Sequence, residues 1–226
     1  MKRALVLAGI VTLLIGAGTA AAHGGLAVTP DHALYDTKTA IEQQVEDLAP
    51  NQSEKIKAKL EHAGKRANES SIMADENKTE LANQTANAYA EEMQEVNDLG
   101  QEISDLAQQR KINELVAEAT QHHTKVLSNV YEKVPGPAKS GIRKALNNSA
   151  VGHKRAVNAL QDSGGIPAGV NSNTSSMIPA DVRKQTGIGK PGSIPVLGGG
   201  IPGGGSTAGG QGDQGGNPGG APAGVP

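Results

Sequence analysis

Residues 111–160 read KINELVAEATQHHTKVLSNVYEKVPGPAKSGIRKALNNSAVGHKRAVNAL. Spaced at 100° per residue, Ile112, Val116, Ala119, His123, Val126, Leu127, Val130 and Val134 fall on one helical face. Ile142, Ala145, Leu146, Ser149, His153, Ala156, Val157 and Leu160 do the same beyond the turn. Glu114, Glu118, Gln121, Lys125, Arg143 and Lys154 occupy the opposite faces, which is the pattern of helices packed in a bundle. Pro135 disfavours helix at Val134, Gly136 is conformationally free, and Pro137 suits the first turn of a new helix. So short a link between two long amphipathic helices predicts an antiparallel helical hairpin.

The same periodicity extends towards the N-terminus. Thr29-Pro30-Asp31 reads as a helix start, with Thr29 as N-cap and Pro30 in the first position. Leu34, Ile41, Val45 and Leu48 form the apolar stripe of that helix, and Pro50-Asn51 ends it. Ser53-Glu54 opens a second helix with Ile56, Leu60, Ala63, Ala67 and Ala74 on one face. Asp75-Glu76-Asn77-Lys78 reads as a turn. A third helix carries Leu81, Tyr89, Met93, Val96, Ile103 and Leu106, with a kink or an end expected at Gly100. No strand-like alternation occurs. The expected fold is all-α: an antiparallel bundle of about five helices over residues 30–161. Its core must be aliphatic and rich in alanine, because the chain has three Tyr and no Phe or Trp.

The two ends are of other kinds. Met1-Lys2-Arg3, the uncharged run Ala4–Ala22 and the closing Ala20-Ala21-Ala22 match a signal peptide over residues 1–22. An uncleaved signal anchor is the alternative, and both place the rest of the chain outside the cytoplasm. Residues 23–29 then form a short linker. Cleavage leaves 19 basic against 23 acidic side chains, a balance that argues against nucleic-acid binding. No cysteine is present, so neither a disulfide nor a cysteine-linked lipid is available. Residues 162–226 hold 20 of the 30 glycines and 8 of the 12 prolines, and no aromatic residue. Such a segment reads as a disordered tail, and its removal from residue 165 should leave the melting temperature within about 2 °C. Ile-Pro recurs in it at Ile166, Ile178, Ile194 and Ile201, either by chance or as short extended contacts for a partner.

Candidate chemistry is sparse. Glycosylation sequons occur at Asn51, Asn68, Asn77, Asn83, Asn147 and Asn173, an excess for 14 Asn. Asn51 and Asn77 fall in expected turns, where a glycan fits. His123 and His153 lie on the facing stripes of the hairpin, about one turn apart in level. They read either as structural core histidines or as a pH-sensitive pair or weak metal site. An N-terminal His23 left by cleavage lacks a second His held beside it, since His32 lies on a separate helix. Asp75-x-Asn77-x-Thr79 fails as a calcium loop, with Glu80 and Ala86 at the sixth and twelfth positions. Neither a phosphate loop, a zinc-protease helix nor a serine elbow is present, so no catalytic residue and no cofactor are expected.

His123-x-x-Val126-Leu127, Val134-Pro135, Ala138, Ile142, Ala145-Leu146, Ser149 and Gly152-His153-x-x-Ala156 resemble the C-terminal half of the domain of unknown function 5667. Ala33-Leu34-Tyr35-x-x-Lys38 is similar to the N-terminal leucine-tyrosine-lysine pattern of that family, and Leu60-x-x-Ala63-x-x-Arg66 to its middle helix. The resemblance spans residues 30–160. The chain departs from it in the Asn- and Thr-rich stretch Asn68–Asn87 and at Gly141, inside the fifth helix. It implies an extracytoplasmic helical domain of secreted archaeal and bacterial proteins, with no assigned activity and no catalytic residues. With the composition, it leads to the expectation of a non-enzymatic secreted or envelope interaction module with a protein or cell-wall partner. The alternative is an extracytoplasmic ligand or metal sensor centred on His123 and His153.

Overall fold

The structure is a computed structural model that describes residues 28–186. Six α-helices are found there, with no strand among the described residues: α1 Tyr35–Asp47, α2 Gln52–Asp75, α3 Thr79–Gln101, α4 Leu106–Lys133, α5 Lys139–Asp162 and the short α6 Ala180–Thr186. Several boundaries have a local cause. Asn51 caps α2, its side chain accepting from Glu54 N at 3.0 Å. Asn77 takes φ 58° in the turn before α3, a conformation Asn tolerates better than most residues. Asp105 caps α4 by accepting from Gln108 N at 2.7 Å. Val134 and Pro135 are extended, and one turn of 3-10 helix over Gly136–Ala138 leads into α5.

Helices α2 to α5 form a four-helix bundle in which helices consecutive in the chain run antiparallel. Around it the order is α2, α3, α5, α4, so the α3–α4 connection crosses a diagonal. The neighbours α3 and α5 therefore run parallel, with Asn83 meeting Gly141 and Ala90 meeting Asn148. Likewise α2 and α4 run parallel, from Ser53 at Gln108 to Asp75 at Lys133. The core combines Ile56, Leu60, Met73, Tyr89, Met93, Leu127, Ile142, Leu146 and Leu160 with many buried alanines. Small residues let helices close up, and Gly141 is the extreme case. A Cβ there would lie 2.5 Å from the backbone oxygen of Asn83, while Gly141 N donates to Asn83 Oδ1 at 2.7 Å. A glycine that weakens the helix locally is thus required by packing.

Three expectations need correction. Thr29 does not cap a helix: residues 29–34 are turns, Thr29 Oγ1 donates to Asp31 Oδ1, and the helix starts at Tyr35. The third helix stops at Gln101, next to Gly100, so Leu106 opens α4 and is 78% exposed instead of lining a core. The domain also does not end at Gln161. Residues 163–186 form a strap that lies along the bundle parallel to α4. Arg110 donates to the carbonyls of Ser163 and Gly165, both at 3.0 Å, Gln121 accepts from Asn171 N at 2.7 Å, and Tyr131 Oη donates to Asp181 at 2.5 Å. Ile178 and Val182 are buried in the core and Ile166 packs against it, so two of the four Ile-Pro sites are contacts within the chain. Glycines 164, 165 and 169 take positive φ where the strap turns back. The signal peptide, the linker as far as Ala27 and the tail from Gly187, with Ile194 and Ile201, lie outside the described residues.

Candidate functional site

Helix α1 docks on α2 through charge. The stripe Leu34, Ile41, Val45 and Leu48 does not enter the core: Leu34 is 56% exposed, Leu48 is 60% exposed, and Ile41 and Val45 are half-buried. The buried residues of α1 are Glu42 and Glu46. Their partners on α2 are Lys59, His62, Lys65 and Arg66, and Glu69 follows on the same face, a helical spacing that puts a charged face on an otherwise apolar element. Lys59 Nζ meets Glu46 at 2.5 Å, Glu95 at 2.7 Å and Glu92 at 3.1 Å, and so ties α1, α2 and α3 together. His62 Nδ1 lies 2.6 Å from the second oxygen of Glu46. Arg66 pairs with Glu42 and, at 3.0 Å, with Glu69. Lys38 also pairs with Glu69, and Tyr35 Oη donates to Glu69 at 2.9 Å.

Proton affinities follow from these contacts. Burial works to raise the Glu46 carboxyl, but hydrogen bonds from His62 and Lys59 outweigh it and hold it below the usual carboxylate range. Burial, reinforced by Glu46, raises Glu92. Burial pushes the Tyr35 phenol up, with Glu69 adding to the effect. Arg66 and Lys59 stay charged because their carboxylates outweigh their desolvation. Tyr35, Lys38 and Arg66 are residues on which the family resemblance rests, and here they converge: Lys38 Nζ lies 5.1 Å and Arg66 Cζ 5.5 Å from the centre of the Tyr35 ring. A hydrophobic-periodicity reading misses this site, because it searches for apolar residues at the interface. The available signal was the spacing of Lys59, His62, Arg66 and Glu69 on one face.

The two histidines go to separate surroundings. His123 packs edge-to-face on Tyr89, with ring centres 5.5 Å apart, and a Cβ at Gly64 would lie 2.9 Å from its Nε2. Burial, with a smaller contribution from His122, lowers its pKa to about 4. His153 faces the strap and α4: Nε2 lies 2.7 Å from the Asn171 carbonyl, and Nδ1 lies 3.1 Å from both Thr120 Oγ1 and the Ala117 carbonyl. Burial lowers its pKa, opposed by the two carbonyls. Each ring is thus fitted to its own neighbours. Among the described residues, no group of three His, Cys, Asp or Glu is placed to hold a metal ion.

The sequons differ in setting. Asn77 is exposed in the α2–α3 turn and Asn68 is exposed within α2. Asn51 and Asn173 are exposed but engaged, Asn51 as the α2 cap and Asn173 by accepting from Ser175 N at 2.8 Å. Asn83 holds Gly141, and Asn147 is half-buried in α5.

Residues 27–137 match the family model described as domain of unknown function (DUF5667). The match takes in α1 to α4 and ends at Pro137, so the α5 residues of the resemblance lie beyond it. No curated protein and no solved structure matches the chain.

Proposed function

As the chain carries a DUF5667 domain, we propose that it is a non-enzymatic helical interaction module, secreted or held in the cell envelope, and that α1 is the element a partner engages. The observation that carries this reading is the apolar flank of α1. Leu34, Ile41, Val45 and Leu48 follow the spacing i, i+7, i+11, i+14, which is the seam one helix offers another. In this chain that seam is turned away from the core, because the ion pairs claim the inward face. An amphipathic helix of a protein partner is the occupant such a seam fits. No described helix is long and apolar enough to cross a membrane. The metal-sensor alternative gains no support from His123 and His153, which have different neighbours.

The test is cell fractionation with the chain expressed in its native host. Leu34→Ser with Leu48→Ser should lose most of its retention in the envelope fraction and its crosslinks there, at an unchanged melting temperature. Retention equal to that of the wild type would refute the reading. Among the sequons, Asn77 is the one we propose for a glycan, since its turn leaves the amide free to be reached. The intact mass of the Asn77→Gln variant reports this directly.

A further inference from the structure

Where α3 ends and α4 begins, helices α3, α4 and α5 part around a cavity of about 310 Å³. Small residues keep it open: a Cβ on Gly100 would meet nothing within 4 Å, and Gly152 leaves room that a side chain would take from Asn97. Its polar groups are amides and one guanidinium, that of Arg155, and no carboxylate lines it. The Arg155 side chain is half-buried, its Nη1 has no hydrogen-bond partner, and it makes no ion pair among the described residues. A guanidinium with no carboxylate beside it keeps its N–H groups available to an anion. Gln109 and Asn113, one turn apart on α4, also line the cavity with amides that bond to nothing else described. Asn97 and Gln101 differ, since their NH2 groups already donate to Met93 O at 2.7 Å and Asn97 O at 3.0 Å.

Three free donor groups, one of them cationic, therefore line a space with apolar walls from Val96, Ile112 and Val116. We propose that this cavity is a binding site for a small organic monocarboxylate. Arg155 matches one carboxylate through paired N–H bonds, Gln109 and Asn113 take the remaining lone pairs, and the apolar wall takes a short carbon chain. A phosphate dianion would bring two charges to a single cation. The site is distinct from the α1 seam and stands or falls independently of it.

The experiment is an NMR titration of the 15N-labelled full chain with butyrate, lactate and pyruvate, and with inorganic phosphate at matched ionic strength. At least one carboxylate should give saturable shifts confined to residues 96–101, 109–116 and 152–159, and phosphate none. Arg155→Met should weaken binding at least tenfold while leaving the melting temperature equal or higher, because the side chain has no hydrogen bond or ion pair to lose among the described residues. A purely structural arginine would instead lower it. Gly100→Leu, whose Cβ would meet nothing within 4 Å, should also abolish binding and serves if Arg155→Met does not fold. No saturable shift with any of the three carboxylates would overturn the proposal. So would saturation by phosphate alone, or equal binding by the Gly100→Leu variant.

Discussion

Helix α1 and the strap over residues 163–186 both lie on the outside of the same four helices, and they are held by opposite chemistry. The strap contributes Val170, Ile178 and Val182 to the common core, and its backbone accepts from Arg110 and donates to Gln121. Helix α1 contributes glutamates and leaves its apolar residues on a flank. Burial of aliphatic groups is favourable in almost any geometry, at roughly 25 cal/mol per Å². Buried ion pairs come close to break-even unless every partner is in place. The difference teaches that the region with the poorer composition can be the more firmly seated one. The strap is part of the domain, and α1 is the piece expected to come away first.

The largest expected effect is therefore at the strap. Truncation before Gly165 should lower the unfolding free energy by about 4–9 kcal/mol, the value of the three buried aliphatic side chains Val170, Ile178 and Val182. Urea denaturation of the full and truncated chains measures it. A loss under 1 kcal/mol would mean that the strap is not seated as described. Next comes Arg66→Met, which strands Glu42 and Glu69. Breaking a buried pair costs about 3–5 kcal/mol when the remaining charge stays buried. Here the loss is capped at the docking energy of α1, because α1 can come away and rehydrate its glutamates. Hydrogen exchange should thus speed up across residues 38–47 while α5 stays protected. Equal acceleration in both would show that α1 and the bundle unfold as one unit.

Acid separates the regions at a smaller scale. His123 has its pKa lowered to about 4 by burial, against about 6.5 in the unfolded chain. The unfolded state then binds the proton more readily, so stability is full above the unfolded value and is lost as pH falls towards the folded one. Between pH 7 and 5 the loss from this ring should be about 2 kcal/mol, and His123→Leu should remove it from the slope. His153 is lowered in the same sense, so the strap side of the bundle shares this window. Glu46 is lowered as a carboxylate: its contribution holds above the unfolded value of about 4.3 and disappears only as pH falls below it. Docking of α1 should thus survive to pH 5. Exchange rates in α1 that rise between pH 7 and 5, after correction for intrinsic rates, would contradict that order. The smallest effect is at the seam: Leu34→Ser with Leu48→Ser should change stability by no more than about 0.5 kcal/mol, as exposed sites do. A larger loss would place those leucines in the domain's packing.

Much of the bundle was legible from residues alone. Every residue of the stripe from Ile142 to Leu160 is buried, as are Ile56, Leu60, Ala63, Ala67 and Ala74 on α2. The turns at Asp75–Lys78 and Val134–Pro137 also stand where Asn, Pro and Gly mark them. These features depend on periodicity and on local backbone chemistry, which a sequence states directly. What only the tertiary structure decided was which face of α1 turns inward, why Gly141 must be glycine, and where the Gly/Pro-rich segment stops being part of the domain. Each depends on a neighbour distant in sequence: Arg66 and Lys59 for the glutamates, Asn83 for Gly141, and the core beside Tyr131 for Ile178 and Val182. Composition averages over a segment, whereas seating depends on three aliphatic side chains, Val170, Ile178 and Val182, finding a place in the core. Charge pairing leaves no apolar period to read, so the face of α1 that looked like core became its flank.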